Sequence, residues 1–272
     1  MNRNKLFGLV LPCAWLSLAL AGALTAPWLP IADPLQQDLM KMLEKPGPAL
    51  WFGADSLGRD LLSRSLHGLR VTFIVGIGAV VVGLLVGGSL GLVAGYFRGR
   101  PERIIMACNN VLLAFPPLVL AVAMMAYPGA AVPKLILVLG LVLSSAFTRI
   151  SRVNTMMFAQ QEFVTAAKAI GMRDLRIMAR EILPNLVTPM LVFALLAVAL
   201  AAVAEGTLSF LGLSVPPPTP SLGGMISSEV SSMREAPHAV FFPAAMLFLT
   251  IFALNRVGEY VQRRLDVRES AA

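Results

Sequence analysis

Gly87-Gly88-Ser89-Leu90-Gly91 fits the G-x-S-x-G spacing in which a serine on a sharp strand-to-helix turn acts as a hydrolytic nucleophile. The pattern needs that turn, and here the serine lies inside a long apolar run that reads as one helix. An intramembrane serine hydrolase using Ser89 is therefore the rival class, and it requires Ser89 to be essential. Zinc chemistry would need closely spaced histidines, whereas His67 and His238 are far apart and neither is followed by glutamate. Cys13 and Cys108 have no CxxC spacing and read as small buried hydrophobes; Pro12 before Cys13 argues against a lipid-modified cysteine. Direct use of ATP would need a glycine-rich loop ending in Gly-Lys-Ser/Thr to cradle phosphates, and no Gly-Lys pair occurs. No metal or catalytic site is expected of this chain.

The elements that would carry any function are membrane helices. Of 272 residues, 57% are hydrophobic and 14% charged, far below the roughly 25% charged content of ordinary soluble domains. Apolar runs of about 20 residues span a bilayer core. Six are read: Leu6 to Trp28, Val71 to Phe97, Ile104 to Ala126, Leu135 to Thr148, Leu186 to Ala204 and Val240 to Leu254. The first is longer than a secretory signal core and is taken as an uncleaved span despite Ala21-Gly22-Ala23 near its end. The net charge of +7 does not point to nucleic acid, because the basic residues alternate with spans instead of gathering on a soluble face. With the N-terminus inside, only Lys41, Lys45, Arg59, Arg64, Arg70, Lys134 and Arg234 fall outside, which places both termini in the cytoplasm.

Gly83, Gly87, Gly91 and Gly95 recur every fourth residue and line one helix face, where small residues let backbones approach and supply van der Waals contact within lipid. Glu205 near the end of the fifth span is a candidate for the translocation path, since a carboxylate near hydrocarbon is costly; the plainer reading pairs it at the membrane surface with Arg70 or Arg234. Asp33 to Leu69 reads as the longest outside segment, with a short amphipathic helix expected on the membrane surface. Prolines 216, 217, 218 and 220 stiffen the loop after the fifth span.

Between the fourth and fifth spans, residues 160 to 185 are too polar to span and helix-prone on both sides of Gly171, with Pro184 closing the second stretch or opening the next span. Thr165-Ala166-Ala167-x3-Gly171 followed by Leu183-Pro184 resembles the EAA loop of ABC importer permeases, although Thr165 stands where glutamate is common and Glu181 where isoleucine is. Phe52-Gly53-Ala54-Asp55-Ser56-Leu57-Gly58-Arg59-Asp60-Leu61-Leu62-Ser63-Arg64 resembles the signature of the second permease subunit of dipeptide, oligopeptide and nickel importers. Leu112 to Pro116, Leu208 to Leu213, Pro217 to Ser221 and Asn255 to Gly258 follow in that family's order.

The resemblance implies an all-α integral membrane protein of the type I ABC importer permease fold. Residues 1-70 would form an N-terminal helix and periplasmic segment, and 71-272 a core of five spans. It also implies a homologous second permease, two cytoplasmic ATPase subunits that bind ATP and Mg, an external substrate-binding protein, and cargo such as peptides, nickel or metal chelates. Thr165, Ala166, Ala167, Gly171, Leu183 and Pro184 would be the ATPase-coupling residues. An ion-gradient-driven secondary transporter is the third class, one that would work without ATPases.

Overall fold

The computed structural model describes residues 3–125 and 131–269. Ten α-helices carry the described chain: α1 (Arg3–Thr25), α2 (Leu61–Phe97), α3 (Gly99–Ala114), α4 (Pro117–Met125), α5 (Ala131–Phe158), α6 (Glu162–Ala169), α7 (Asp174–Ile177), α8 (Leu183–Phe210), α9 (Leu222–Glu229) and α10 (Pro237–Glu269). Among the described residues, five helical stretches are long and apolar enough to cross a bilayer, and α3 with α4 forms a sixth candidate bent by 87°. Helix α2 lies along α5, α8 packs across both, α1 and α10 cover one flank, and α3 and α4 lean on α2 and α5 from the other.

The α2–α5 seam follows from small residues on both sides. A methyl group at Gly95 would stand 2.6 Å from the Arg152 carbonyl oxygen, and one at Gly91 would meet the Thr148 carbonyl oxygen and, at 2.5 Å, the Ser151 Cβ. Gly87 faces the Ser144 carbonyl in the same way, and Gly83 approaches Leu143, Phe147 and the Gly140 carbonyl. Apolar side chains gain little by leaving lipid for a helix interface, so close backbone contact of this kind is the available source of attraction. The seam also holds an interhelical hydrogen bond, from the Ser151 hydroxyl to the Gly88 carbonyl at 2.7 Å.

Several span boundaries differ from the hydropathy reading. Helix α2 begins at Leu61 instead of Val71, because Asp60 caps it by accepting from the Leu62 and Ser63 amides. Polar residues in its first turns are also satisfied locally: Ser63 donates to the Ala32 carbonyl at 2.6 Å and Arg64 to the Pro34 carbonyl at 2.9 Å. Burial pushes the Asp60 carboxyl up from its ordinary value, against the two amides that favour its charge. The amphipathic surface helix expected before Val71 is absent. Leu61 and Leu69 are fully buried parts of α2, and the preceding segment carries a single 3-10 turn at Leu39–Lys41.

The third span is broken at Phe115, which adopts an extended conformation ahead of Pro116 and Pro117; neither proline can donate a backbone hydrogen bond. The end expected at Ala126 lies outside the described residues. Helix α5 runs past the apolar stretch in both directions, to Ala131 and Phe158, because Ser151 and Thr155 face the glycine side of α2. Helix α10 likewise continues beyond Leu254 as a polar extension, with Glu259 between Arg256 and Arg263 at 3.7 and 3.6 Å.

The family-like segment Phe52 to Arg64 is a folded knot around Asp55. One carboxylate oxygen accepts from the Leu57 and Arg59 amides at 2.9 Å, and the other accepts from Arg59 Nε at 2.7 Å with Arg64 Nε 3.2 Å away. Gly58 turns the chain with φ +70°, against the Asp38 carbonyl where a Cβ would not fit. Glu229 of α9, itself buried, accepts from the Ser56 amide and hydroxyl at 3.2 and 2.8 Å, so the knot fixes the α9 end of the bundle to the start of α2.

Two predictions follow from this packing. Gly91→Leu should abolish recovery of monodisperse protein from detergent, while Ser89→Leu, on the exposed side of the same helix, should leave recovery near wild type; equal recovery of the two would contradict the seam. Asp55→Ala should cost about 3–5 kcal/mol by leaving two buried guanidinium groups without their anion. A drop in thermal unfolding temperature checks it, and an unchanged midpoint would count against the knot.

Candidate functional site

A short helical loop sits at the end of the bundle where α5 and α8 project past their apolar stretches. Helix α5 ends at Phe158, a turn through Gln160 and Gln161 follows, and α6 begins at Glu162. At its far end, the Met172 amide donates to the Ala167 carbonyl at 3.1 Å and the Gly171 amide to the Lys168 carbonyl at 3.0 Å. This is a Schellman cap, with Gly171 at φ +77° in the left-handed position that a Cβ would penalise. The reversal sends the chain into α7, whose first turn carries Asp174.

A π-turn, Met178–Ile182, joins α7 directly to α8. Pro184 sits in the first turn of α8. It has no amide to donate to the Arg180 carbonyl, and the wider π geometry lets the helix pass this point unbroken. The 37-residue stretch Asp174–Phe210 is therefore one rod reaching from the loop through the apolar core.

The two small helices enclose a core of Val164, Ala167, Ile177 and Ile182, packed against Leu92, Tyr96, Phe158 and Met172. Ala167 thus points inward at 5% exposure, while Thr165, Ala166, Gly171, Leu183 and Pro184 face outward. At the tip, Ile170 and Leu175 are 78% and 75% exposed. Arg173, Arg176 and Arg180 flank Leu175 in sequence, exposed and, among the described residues, without an ion pair. Tyr96, near the end of α2, donates its hydroxyl to Asp174 at 2.6 Å, and Lys168 lies 5.3 Å from the centre of the same ring.

At the opposite end of α8, Glu205 is fully buried. Its carboxylate accepts from Ser209 at 2.6 Å, Thr72 of α2 at 2.9 Å and Ser214 at 3.4 Å. The surface pairing with Arg70 or Arg234 does not form. Helix α8 runs on to Phe210 and carries Glu205 inward, beneath a second Schellman cap in which Leu213 donates to the Leu208 carbonyl and Gly212 (φ +73°) to Ser209. Helix α9 then packs close, its Gly223 against the Gly206 carbonyl. The hydroxyl partners were not anticipated from sequence; Ser209, at four residues from Glu205 on one helix, was the only one with a readable signal.

Ser89 is exposed in mid-helix and donates to the Val86 carbonyl at 2.9 Å, so it lacks the tight turn that a hydrolytic nucleophile needs.

A bundle of helices long and apolar enough to cross a bilayer, with a short helix-turn-helix loop at one end, is the architecture of a membrane protein. The chain belongs to the binding-protein-dependent transport system inner membrane component family, whose model matches residues 87–267. It is 38% identical to the glutathione transport system permease protein GsiD of Pectobacterium atrosepticum, over 84% of this chain and 76% of that one. It is 40% identical to the GsiD protein of Escherichia coli, over 81% and 73%. The fold resembles that of a chain in the inward-facing MetNI methionine ABC transporter, with a TM-score of 0.56 at 16% identity, over 74% of this chain and 95% of that one. The chain is thus a bacterial inner-membrane permease of the ABC importer class, in a family that works in membrane complexes with an ATPase and a binding protein. Neither the hydrolase nor the secondary transporter finds support in these relatives.

Removing the Glu205 acceptor should leave three hydroxyls without their partner, at a cost of about 1–3 kcal/mol. Glu205→Ala should therefore lower the thermal midpoint of the detergent-solubilised protein more than Glu205→Gln, which keeps an acceptor oxygen. Equal midpoints for the two variants would contradict the cluster.

Proposed function

We propose that this permease is one of two homologous halves of an importer for short peptides of the glutathione or dipeptide type, driven at the α6–α7 loop by a pair of cytoplasmic ATPase subunits. The observation that carries the reading is the tip formed around Gly171. Ile170 and Leu175 stand exposed at a polar end of the bundle, beside arginines in the sequence that have no ion pair among the described residues, where water rather than lipid would be displaced. A cleft on a nucleotide-burning partner with apolar floor and acidic rim fits that surface. ATP and Mg belong to those partners. Both termini lie in the cytoplasm on this reading, because the arginine-rich loop and the basic end of α10 then share the inner face.

The continuous rod from Asp174 to Phe210 supports a lever mechanism. Closure of the ATPases on ATP would move α6 and α7, and a rod fused to them through the π-turn would tilt with them. Its other end would disturb the Glu205 cluster and the loop through Pro216 to Pro220, which tie α8 to α2 and α9. Glu205 would act there as a latch on the external gate, meeting the pathway only when that end opens. The peptide assignment draws on the glutathione permeases that this chain resembles across most of its length. Selection would rest mainly with an external binding protein.

The docking surface is the outward side of the loop: Thr165, Ala166, Ile170 and Gly171. Ala167, expected to dock, packs inward, so Ala167→Arg would break the loop's own core, and Ile170→Asp is the cleaner probe. In proteoliposomes holding the chain with its companion permease, ATPases and binding protein, ATP-dependent accumulation of glutathione or a dipeptide should exceed that of Ni2+. Ile170→Asp should reduce it at least about tenfold, the scale of losing a buried apolar anchor. Uptake by the chain alone, or full uptake by the Ile170→Asp complex, would overturn the proposal.

A further inference from the structure

The loop meets the rest of the molecule at a point that packing alone does not require. The Tyr96 hydroxyl reaches Asp174 at 2.6 Å, and Lys168 places its ammonium over the face of the same ring at 5.3 Å. Tyr96 is therefore held by both small helices at once, by α6 through Lys168 and by α7 through Asp174. Its position in α2 matters. Two residues later the chain breaks at Arg98 (φ +50°) and Gly99 (φ +61°), and α3 departs in a new direction. On the far side of that corner, Glu102 of α3 is paired with Arg152 of α5, and Arg98 donates to the Met156 carbonyl at 3.4 Å.

The corner is thus gripped from two sides, by the loop at Tyr96 and by α5 through Arg152. Helix α5 packs closely on α2 along the glycine seam, where an added Cβ would collide with its backbone. Beside its apolar packing on Leu92 and Phe158, a displacement of α6 and α7 has a covalent route into the bundle, the rod into α8, and a polar one, the Tyr96 contact into the α2–α3 corner.

We propose that Tyr96 is a positioning residue for coupling: its hydroxyl bond to Asp174, clamped by Lys168, transmits movement of the α6–α7 loop to the α2–α3 corner, so that α2 and α8 move together. This rests on the reading of α6–α7 as the element that the ATPases push. Without the link, the loop would still dock and nucleotide would still be hydrolysed, but part of the stroke would be lost between loop and bundle. The signature is a change in the ratio of cargo imported to ATP hydrolysed, which a purely structural contact would not move.

The experiment uses the complete complex in proteoliposomes and measures that ratio for wild type, Y96F, D174N, D174A and the double variant Y96F/D174A. Y96F should lower the ratio by about fivefold, the scale of one ordinary solvent-exposed hydrogen bond, with subunit assembly and ATPase rate close to wild type. D174N, whose amide oxygen still accepts, should keep most of the ratio; D174A should lose it; and the double variant should be no worse than D174A. If Y96F impairs assembly, the D174N and D174A pair reads the same link from the exposed loop. A wild-type ratio in Y96F and D174A, or import and hydrolysis falling in proportion, overturns the inference. Failure of the wild-type complex to import with ATP would instead reject the coupling reading on which it rests.

Discussion

The close approach of α2 to α5 is the constraint on which the rest of the molecule depends. In a bilayer no water is released when two apolar helices meet, so contact must come from surfaces that fit, and glycines at every fourth position give the flattest surface available. Side chains beyond hydrogen are excluded at Gly87, Gly91 and Gly95 because carbonyls and Cβ atoms of α5 already occupy the space. Once the two helices are joined, the corner after α2, the loop after α5 and the groove that receives α8 all have fixed places. The seam therefore makes α2 and α5 one unit, to which the loop and α8 are both attached.

Charged groups gather near the two ends of that pair, and each end is built differently. At one, Asp55 and Glu229 gather Arg59, Arg64 and Ser56 into a buried, charge-matched knot, while Glu205 of α8 collects three hydroxyls. The carboxylates there are satisfied and costly to disturb. At the other, Arg173, Arg176 and Arg180 have no ion pair among the described residues and Ile170 and Leu175 are exposed, which suits a surface awaiting another subunit. The rod from Asp174 to Phe210 joins the open end to the closed one.

Features written in local spacing were legible in the residues themselves. The period of four placed the glycines on one face, and Gly171 between two helix-prone stretches marked the break at which the Schellman cap forms. Span boundaries were not legible where polar residues are satisfied by distant backbone: Ser63 and Arg64 look like an end of α2 until the carbonyls of Ala32 and Pro34 are in place. Hydropathy also read α3 and α4 as one span, although Pro116 and Pro117 were visible at the break. The burial of Glu205 depends on Thr72, more than a hundred residues earlier, and the inward turn of Ala167 depends on Ile177 and Ile182 folding back over it. Such contacts follow from tertiary packing that no sequence window contains.

Force entering at the bend around Gly171 is the central claim, and the neighbour of Ile170 in the working membrane decides it. With a photo-cross-linking amino acid in place of Ile170, illumination of intact inner membranes should attach this chain to an ATPase subunit, and the adduct should be protected from reagents added on the external side. An adduct with the external binding protein, or none with an ATPase while the complex remains assembled, would contradict the account.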